Sequence, residues 1–113
     1  VPFYSKIAGV SHKNRDGSSR QTIIRRCRIG EPLRFQCEPD NPVDPKAVAI
    51  LRADGEQVGY LEARAAAELH RELASGEQIP CYITDLTGGT RDKPARGVNI
   101  YIGGEPPLEP SAN

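Results

Sequence analysis

Apolar and polar residues alternate in short runs along most of the chain, the period-two pattern of strands with one buried face. "FYSKIAGV" at 3–10 is the first such run and "LRFQCE" at 33–38 the second. "VAILR" at 48–52 and "QVGYLE" at 57–62 flank "ADGE", whose Asp54-Gly55 pair is a strong hairpin signal. "IPCYITDL" at 79–86 and "GVNIYI" at 97–102 supply the last two strands. Only "EARAAAELHRELASG" changes to a helical period, with Ala66, Leu69 and Leu73 on one face and Gly76 placed to stop it, which predicts a helix over 62–75. His70 lies beside that stripe and reads as a partly exposed helix residue. The shorter "RQTIIRRCR" puts Ile23, Ile24 and Cys27 on one helical face, enough for a turn or two, with its arginines turned toward water or a ligand. "KNRDGSSR" and "GGTRDKPARG" read as loops, the second basic and flexible. Five or six short strands and one main helix predict a mainly β domain, a small OB-like barrel, closed or nearly so.

Composition narrows the core. With 113 residues, 37% apolar, the chain suffices for one small domain. Aromatics make up 5%, and Trp and Met are absent, so the interior must be built from Ile, Val, Leu, Ala and Cys. No apolar run approaches the ~18 residues of a membrane span, and the N-terminus lacks the basic-then-apolar order of a signal peptide. The expectation is a cytoplasmic module, nucleoid-associated if bacterial, with the domain over 1–103 and a disordered Pro-rich tail over 104–113. The start at Val1 suggests a piece of a longer protein. Cys27, Cys37 and Cys81 form no C-x-x-C pair, and there are only two His, so neither a disulfide framework nor a metal site is indicated. Cys37 and Cys81 alternate with apolar strand positions and read as buried, reduced thiols. No cofactor is expected.

The net charge of zero hides an asymmetry: residues 1–34 carry +6, residues 35–90 carry −6, and the rest cancels. Such a split can create a basic face without a basic protein, and so a polyanion partner or simply a solvated surface.

"EPDNPVDPKAVAI" at 38–50 is the most distinctive stretch. Asn41 and Asp44 each precede a proline, which drives both toward extended backbone. Asp44-Pro45 also fits a cap followed by Pro at the first helical position, so "DPKAV" is expected to start a single turn that re-aims the chain. As structure, this is a rigid, self-capped elbow. As function, it holds an amide and a carboxylate still, which suits recognition of a hydroxyl.

The run "EPDNPVDPKAVAI", followed by "DGEQVGYLEARAAAELHREL" and the terminal G-V-N-I strand, resembles the HIRAN domain family over residues 3–102. The resemblance implies a modified OB-type barrel that binds single-stranded DNA. In eukaryotic members it implies capture of a free 3′-hydroxyl end during DNA repair and replication-fork processing, with fused or associated helicase or nuclease domains as partners. Asn41 and Asp44 match the amide and carboxylate that contact the terminal nucleotide, Asp44 as acceptor for the 3′-hydroxyl. Tyr60 stands where the eukaryotic pattern has His, at the pocket wall, and His12 falls near another family aromatic, its ring able to stack on a base. Val43 replaces an aromatic and supplies neither a stack nor a phenolic hydrogen bond. Ala63 stands at a family lysine, which leaves Arg15, Arg20, Arg25 and the 91–96 loop as candidate phosphate contacts.

Two other classes are weighed against DNA binding. An enzyme would need a nucleophile with a base, or clustered carboxylates with a metal. Glu38, Asp40 and Asp44 are the only such cluster, and no second motif accompanies them. A protein-interaction barrel without nucleic-acid binding is the remaining alternative, since OB-like folds host many functions.

Overall fold

The computed structural model of the protein describes residues 2–106. Six strands alternate with two helices: β1 Phe3–Ala8, α1 Arg20–Ile24, β2 Pro32–Cys37, β3 Val48–Arg52, β4 Gln57–Leu61, α2 Ala63–Ala74, β5 Cys81–Thr87 and β6 Gly97–Ile102. The strands close into an antiparallel barrel in the order β1-β4-β3-β2-β5-β6, with β6 returning to β1. The expected strands are all present, and the count falls at the upper of the two numbers. Register shifts between Ile50 and Leu51 and between Ile83 and Asp85 mark irregularities of the kind that sharpen strand curvature and let so small a sheet close.

Closure explains the sequence pattern. Ile50, Val58, Ile83, Ile100 and Ile102 are sealed from solvent and fill the barrel, as interior side chains do in small barrels. Branched aliphatics pack such a narrow space without aromatics. The α2 helix occupies 63–74, within the span predicted for it, with Ala65 and Ala66 buried and Leu69 and Leu73 packed against the core. His70 is exposed. The α1 helix is capped by Ser19, whose hydroxyl accepts from the Thr22 N–H, and it buries Ile23 and Ile24, with Cys27 buried just beyond.

One arginine staples the segment after α1 to the β3–β4 hairpin. Arg52 donates to Glu31 at 2.7 Å and to Glu56 at 2.9 Å, and Arg26 also pairs with Glu56. The basic excess of the first 34 residues is thereby partly spent inside the fold. The loop expected to be flexible and basic is pinned at its end: Arg96 receives and gives backbone hydrogen bonds to the Gln21 carboxamide, which also donates to the Val10 carbonyl. Most of the expected tail, residues 107–113, lies outside the described residues.

Cys27 and Cys81 are buried and Cys37 is half-buried, all as free thiols. Burial, reinforced by the Glu31 charge, pushes the Cys27 thiol up to about 11. Burial alone pushes Cys81 up to about 12. Being less buried, Cys37 should react first with a thiol reagent at neutral pH, ahead of Cys27 and Cys81. The fold holds the protons of those two thiols to higher pH than the unfolded chain, whose thiols ionise near ~8.5. Their contribution to stability should be complete below that pH and lost as the pH climbs toward 11 and 12, which denaturant melts across the alkaline range would measure.

Candidate functional site

The prolines of the elbow are accompanied by a set of side-chain bonds that fix it. The Asn41 carbonyl oxygen accepts from the Val43 N–H at 2.9 Å and the Asp44 N–H at 3.1 Å. Asp44 Oδ1 accepts from the Lys46 N–H at 2.9 Å, and the Ala47 N–H closes the turn on the Asp44 carbonyl at 3.0 Å. This is the single self-capped turn expected of "DPKAV". Asp44 is exposed, and its second carboxylate oxygen meets no hydrogen-bond donor among the described residues. Val43 stands at the tip, 91% exposed.

Glu38 joins this elbow to the barrel. Its Oε1 accepts from Asn41 Nδ2 at 2.9 Å and from the Tyr60 hydroxyl at 2.8 Å. Asn41 thus spends both ends of its carboxamide inside the elbow, which makes it a positioning residue more than a free ligand contact. Tyr60 reaches Glu38 from β4, beside Ala8 of β1 and Ala49 of β3.

On the other side of Tyr60 sits Arg20. The sequence pattern turns the α1 arginines toward water or a ligand, yet Arg20 is buried, with 6% exposure. Its guanidinium lies 5.1 Å from the Tyr60 ring centroid, a cation–π contact worth up to ~2 kcal/mol where water is excluded. Arg20 Nε donates to Asn14 Oδ1 at 2.7 Å and Nη1 to the Gly9 carbonyl at 2.8 Å. Asn14, itself buried, is held by bonds from its Nδ2 to Ser18 Oγ and the Gln57 carbonyl. The reason for the departure is geometric: Arg20 begins α1 directly after a loop that folds back on itself through the Lys13–Ser19 bridge and so delivers the side chain beneath Tyr60.

Asn41, Tyr60 and Arg20 therefore belong to one connected polar surface. His12 borders it: the exposed imidazole lies beside Gly9, its Cδ2 3.7 Å from where a Gly9 Cβ would stand. Arg15 and Arg25 are exposed, at the loop before α1 and at its C-cap, without an acidic partner among the described residues. Gln21 ties the base of the 91–96 loop to the same helix. Sequence reasoning missed the linking roles of Glu38, Asn14 and Gln21. Glu38 had one signal, its place immediately before the elbow; the ties of Asn14 to Gln57 and of Gln21 to Arg96 had none, because they span 43 and 75 residues.

Among the described residues no group of three or more His, Cys, Asp or Glu side chains is placed to hold a metal ion, and no helix is long and apolar enough to cross a membrane. The Glu38, Asp40 and Asp44 cluster does not assemble as a metal site.

Comparison with known proteins bears on the same frame. No curated protein sequence matches. Among solved structures, the HIRAN domain of human HLTF superposes with a TM-score of 0.66 at 19% identity, covering 89% of this chain and 72% of that one. A protein from Lactobacillus plantarum superposes with a TM-score of 0.65 at 14% identity, covering 90% of this chain and 97% of its own. At such identities the two establish a shared barrel. The model of the HIRAN domain matches residues 2–85, a span that contains the elbow, the hairpin, Tyr60 and α2. The chain belongs to the HIRAN domain family.

Proposed function

We propose that this HIRAN domain binds single-stranded DNA at strand ends, the 3′ end in particular, as an accessory to DNA repair or replication-fork processing carried out by associated helicase or nuclease domains. One observation carries the reading: Glu38 locks the elbow to Tyr60, so a solvent-facing carboxylate oxygen of Asp44 and an aromatic platform are held on one rigid surface. A terminal sugar hydroxyl donates to Asp44, and its base stacks against Tyr60 and His12. Because the elbow is ordered beforehand, binding avoids the ~0.5–1.5 kcal/mol per side chain that ordering a mobile loop would subtract.

Backbone phosphates then fall to the exposed cations around the surface, Arg15, Arg25 and the 91–96 loop. Oligonucleotide affinity should drop steeply with salt, and each phosphate contact removed should lower the log-log slope by about 0.7 for a single strand. Arg15→Ala and Arg25→Ala, measured by fluorescence anisotropy across a salt series, should each reduce the slope. Unchanged affinity and slope in the double variant would move the phosphate path elsewhere.

The alternative, a protein-interaction barrel without nucleic-acid binding, draws on a different surface. A groove of about 1100 Å³ runs past Tyr4, Lys6, Ile29, Arg64 and Asp85 and includes none of the Tyr60 cluster, and Tyr4 and Ile29 are 63% and 65% exposed. A folded domain that retains no oligonucleotide at low salt, but captures a protein partner in a way lost in Tyr4→Ala and Ile29→Ala, would favour that reading.

A further inference from the structure

Arg20 is the unusual charge of this fold. Among the described residues the other arginines whose side chains donate hydrogen bonds each have a carboxylate partner, Arg52 in Glu31 and Glu56 and Arg26 in Glu56. Arg20 is more deeply buried than either, yet its acceptors are all neutral, an amide oxygen of Asn14 and the carbonyl of Gly9, with the face of Tyr60 beside it. Taking a cation out of water without a counter-anion is costly, and dipoles alone leave its positive potential in place. The nearest carboxylate in the cluster, Glu38, is bonded to the hydroxyl at the far end of the Tyr60 ring.

The guanidinium is also unfinished. Nε and Nη1 have partners, whereas Nη2 donates to nothing among the described residues. Among those residues the only sealed side-chain nitrogen or oxygen lacking a partner is Glu72 Oε2, so Nη2 is not sealed and must reach solvent. Gly9 leaves room beside the guanidinium at Nη1. Its φ of 68° is a left-handed conformation that other residues adopt at a cost, and a Cβ there would stand 3.0 Å from Arg20 Nη1. The edge of the His12 ring lies on the same side, 3.7 Å from that Cβ position.

We propose that Arg20, framed by Gly9, His12 and Tyr60, is the floor of a phosphate subsite that takes one phosphodiester of the bound strand. A planar guanidinium with two of its three nitrogens already held, Nε by Asn14 and Nη1 by Gly9, presents Nη2 in a fixed orientation to a tetrahedral oxyanion, and the anion supplies the counter-charge that the fold withholds. The subsite differs from the exposed cations in kind: it engages a single linkage at a fixed distance from the stacked base, so it sets register as well as affinity. Identifying the anion as a strand phosphate rests on the strand-binding reading above; the anion site itself does not.

Two measurements separate these claims. First, inorganic phosphate is titrated into the wild-type domain while the side-chain Nε–Hε signals of the arginines are followed by NMR. The Arg20 signal should shift saturably, ahead of those of Arg15 and Arg25; an Arg20 signal that stays in place while those move would overturn the subsite. Second, single neutral methylphosphonate linkages are walked along an oligonucleotide. One linkage should cost the wild type about tenfold in affinity, the equivalent of roughly one charge-assisted hydrogen bond, and the same substitution should cost Arg20→Gln nothing further. A folded Arg20→Gln domain with the wild-type linkage profile would also overturn it. If that variant does not fold, the phosphate titration on the wild type decides. A shifted Arg20 signal in a domain that binds no oligonucleotide would keep the anion site and remove the strand as its ligand.

Discussion

Gly59→Val is expected to cost the barrel ~3 kcal/mol or more, enough to lower its melting temperature by ~15 °C in a domain of this size. A Cβ at this position would stand 2.5 Å from the Ala8 carbonyl oxygen and 2.5 Å from Ile7 Cγ2, and the first of these atoms is backbone that cannot turn aside. The contact matters because β1 and β4 pair at only two positions, Ile7 with Leu61 and Ala8 with Tyr60. Pushing them apart opens the barrel at one of its two shortest seams, the other being β2–β5. It also carries Gly9 and the Arg20 cluster away from Tyr60, so ligand binding should fall with stability. Gly55→Ala is the control: that glycine has a φ of 97° but nothing within 4 Å of its would-be Cβ, so it should lose only the ~1–2 kcal/mol of a left-handed backbone. Equal losses in the two variants, read from denaturant melts, would show that close approach at Gly59 is not what its small size serves.

The G-Y-L step shows how much of the fold could be read from the sequence. Alternation alone puts Leu61 and Tyr60 on opposite faces, and the Asp54-Gly55 turn fixes the hairpin, because these are local patterns with a two-residue period; the burial of Val58, which shares the parity of Tyr60, goes with the register irregularity beside it and is not legible that way. The pattern does not reveal that Gly59 faces β1, since β1 lies some fifty residues earlier and strand order is a matter of closure. The same limit governed the site. Asn41 and Asp44 stood out because prolines and turn formers act on their neighbours, and the structure keeps them as a rigid elbow. Glu38 could not be read as the tie to Tyr60 because that hydrogen bond spans 22 residues. The burial of Arg20 was not legible for a related reason: a charged residue at the start of a short helix is ordinarily solvated, and only the fold-back of residues 13–19 buries it.

The elbow's chemistry leads to the second large effect. A carboxylate accepting from a sugar hydroxyl forms a charge-assisted hydrogen bond worth ~1.5–3 kcal/mol. A 3′-phosphate forfeits that bond and brings a like charge against Asp44. The wild-type domain should therefore prefer a free 3′-hydroxyl end over a 3′-phosphorylated one by tenfold or more, at ~1.4 kcal/mol per decade. Asp44 also caps its own turn through Oδ1, so Asp44→Ala would mix a structural loss of ~1 kcal/mol with the recognition loss. Asp44→Asn avoids this, because asparagine caps as well as aspartate and an amide oxygen can still accept from the Lys46 N–H. Its melting temperature should match the wild type while the charge that discriminates the two ends is gone.

The ratio of affinities for one oligonucleotide ending in a 3′-hydroxyl and the same oligonucleotide ending in a 3′-phosphate, measured for the wild type and for Asp44→Asn at one salt concentration, tests strand-end recognition most directly. A wild-type ratio of tenfold or more that collapses toward one in a variant of unchanged stability is the result this account predicts. A wild type that does not distinguish the ends, or a folded Asp44→Asn domain that keeps the full preference, would contradict it and leave the elbow a structural device alone.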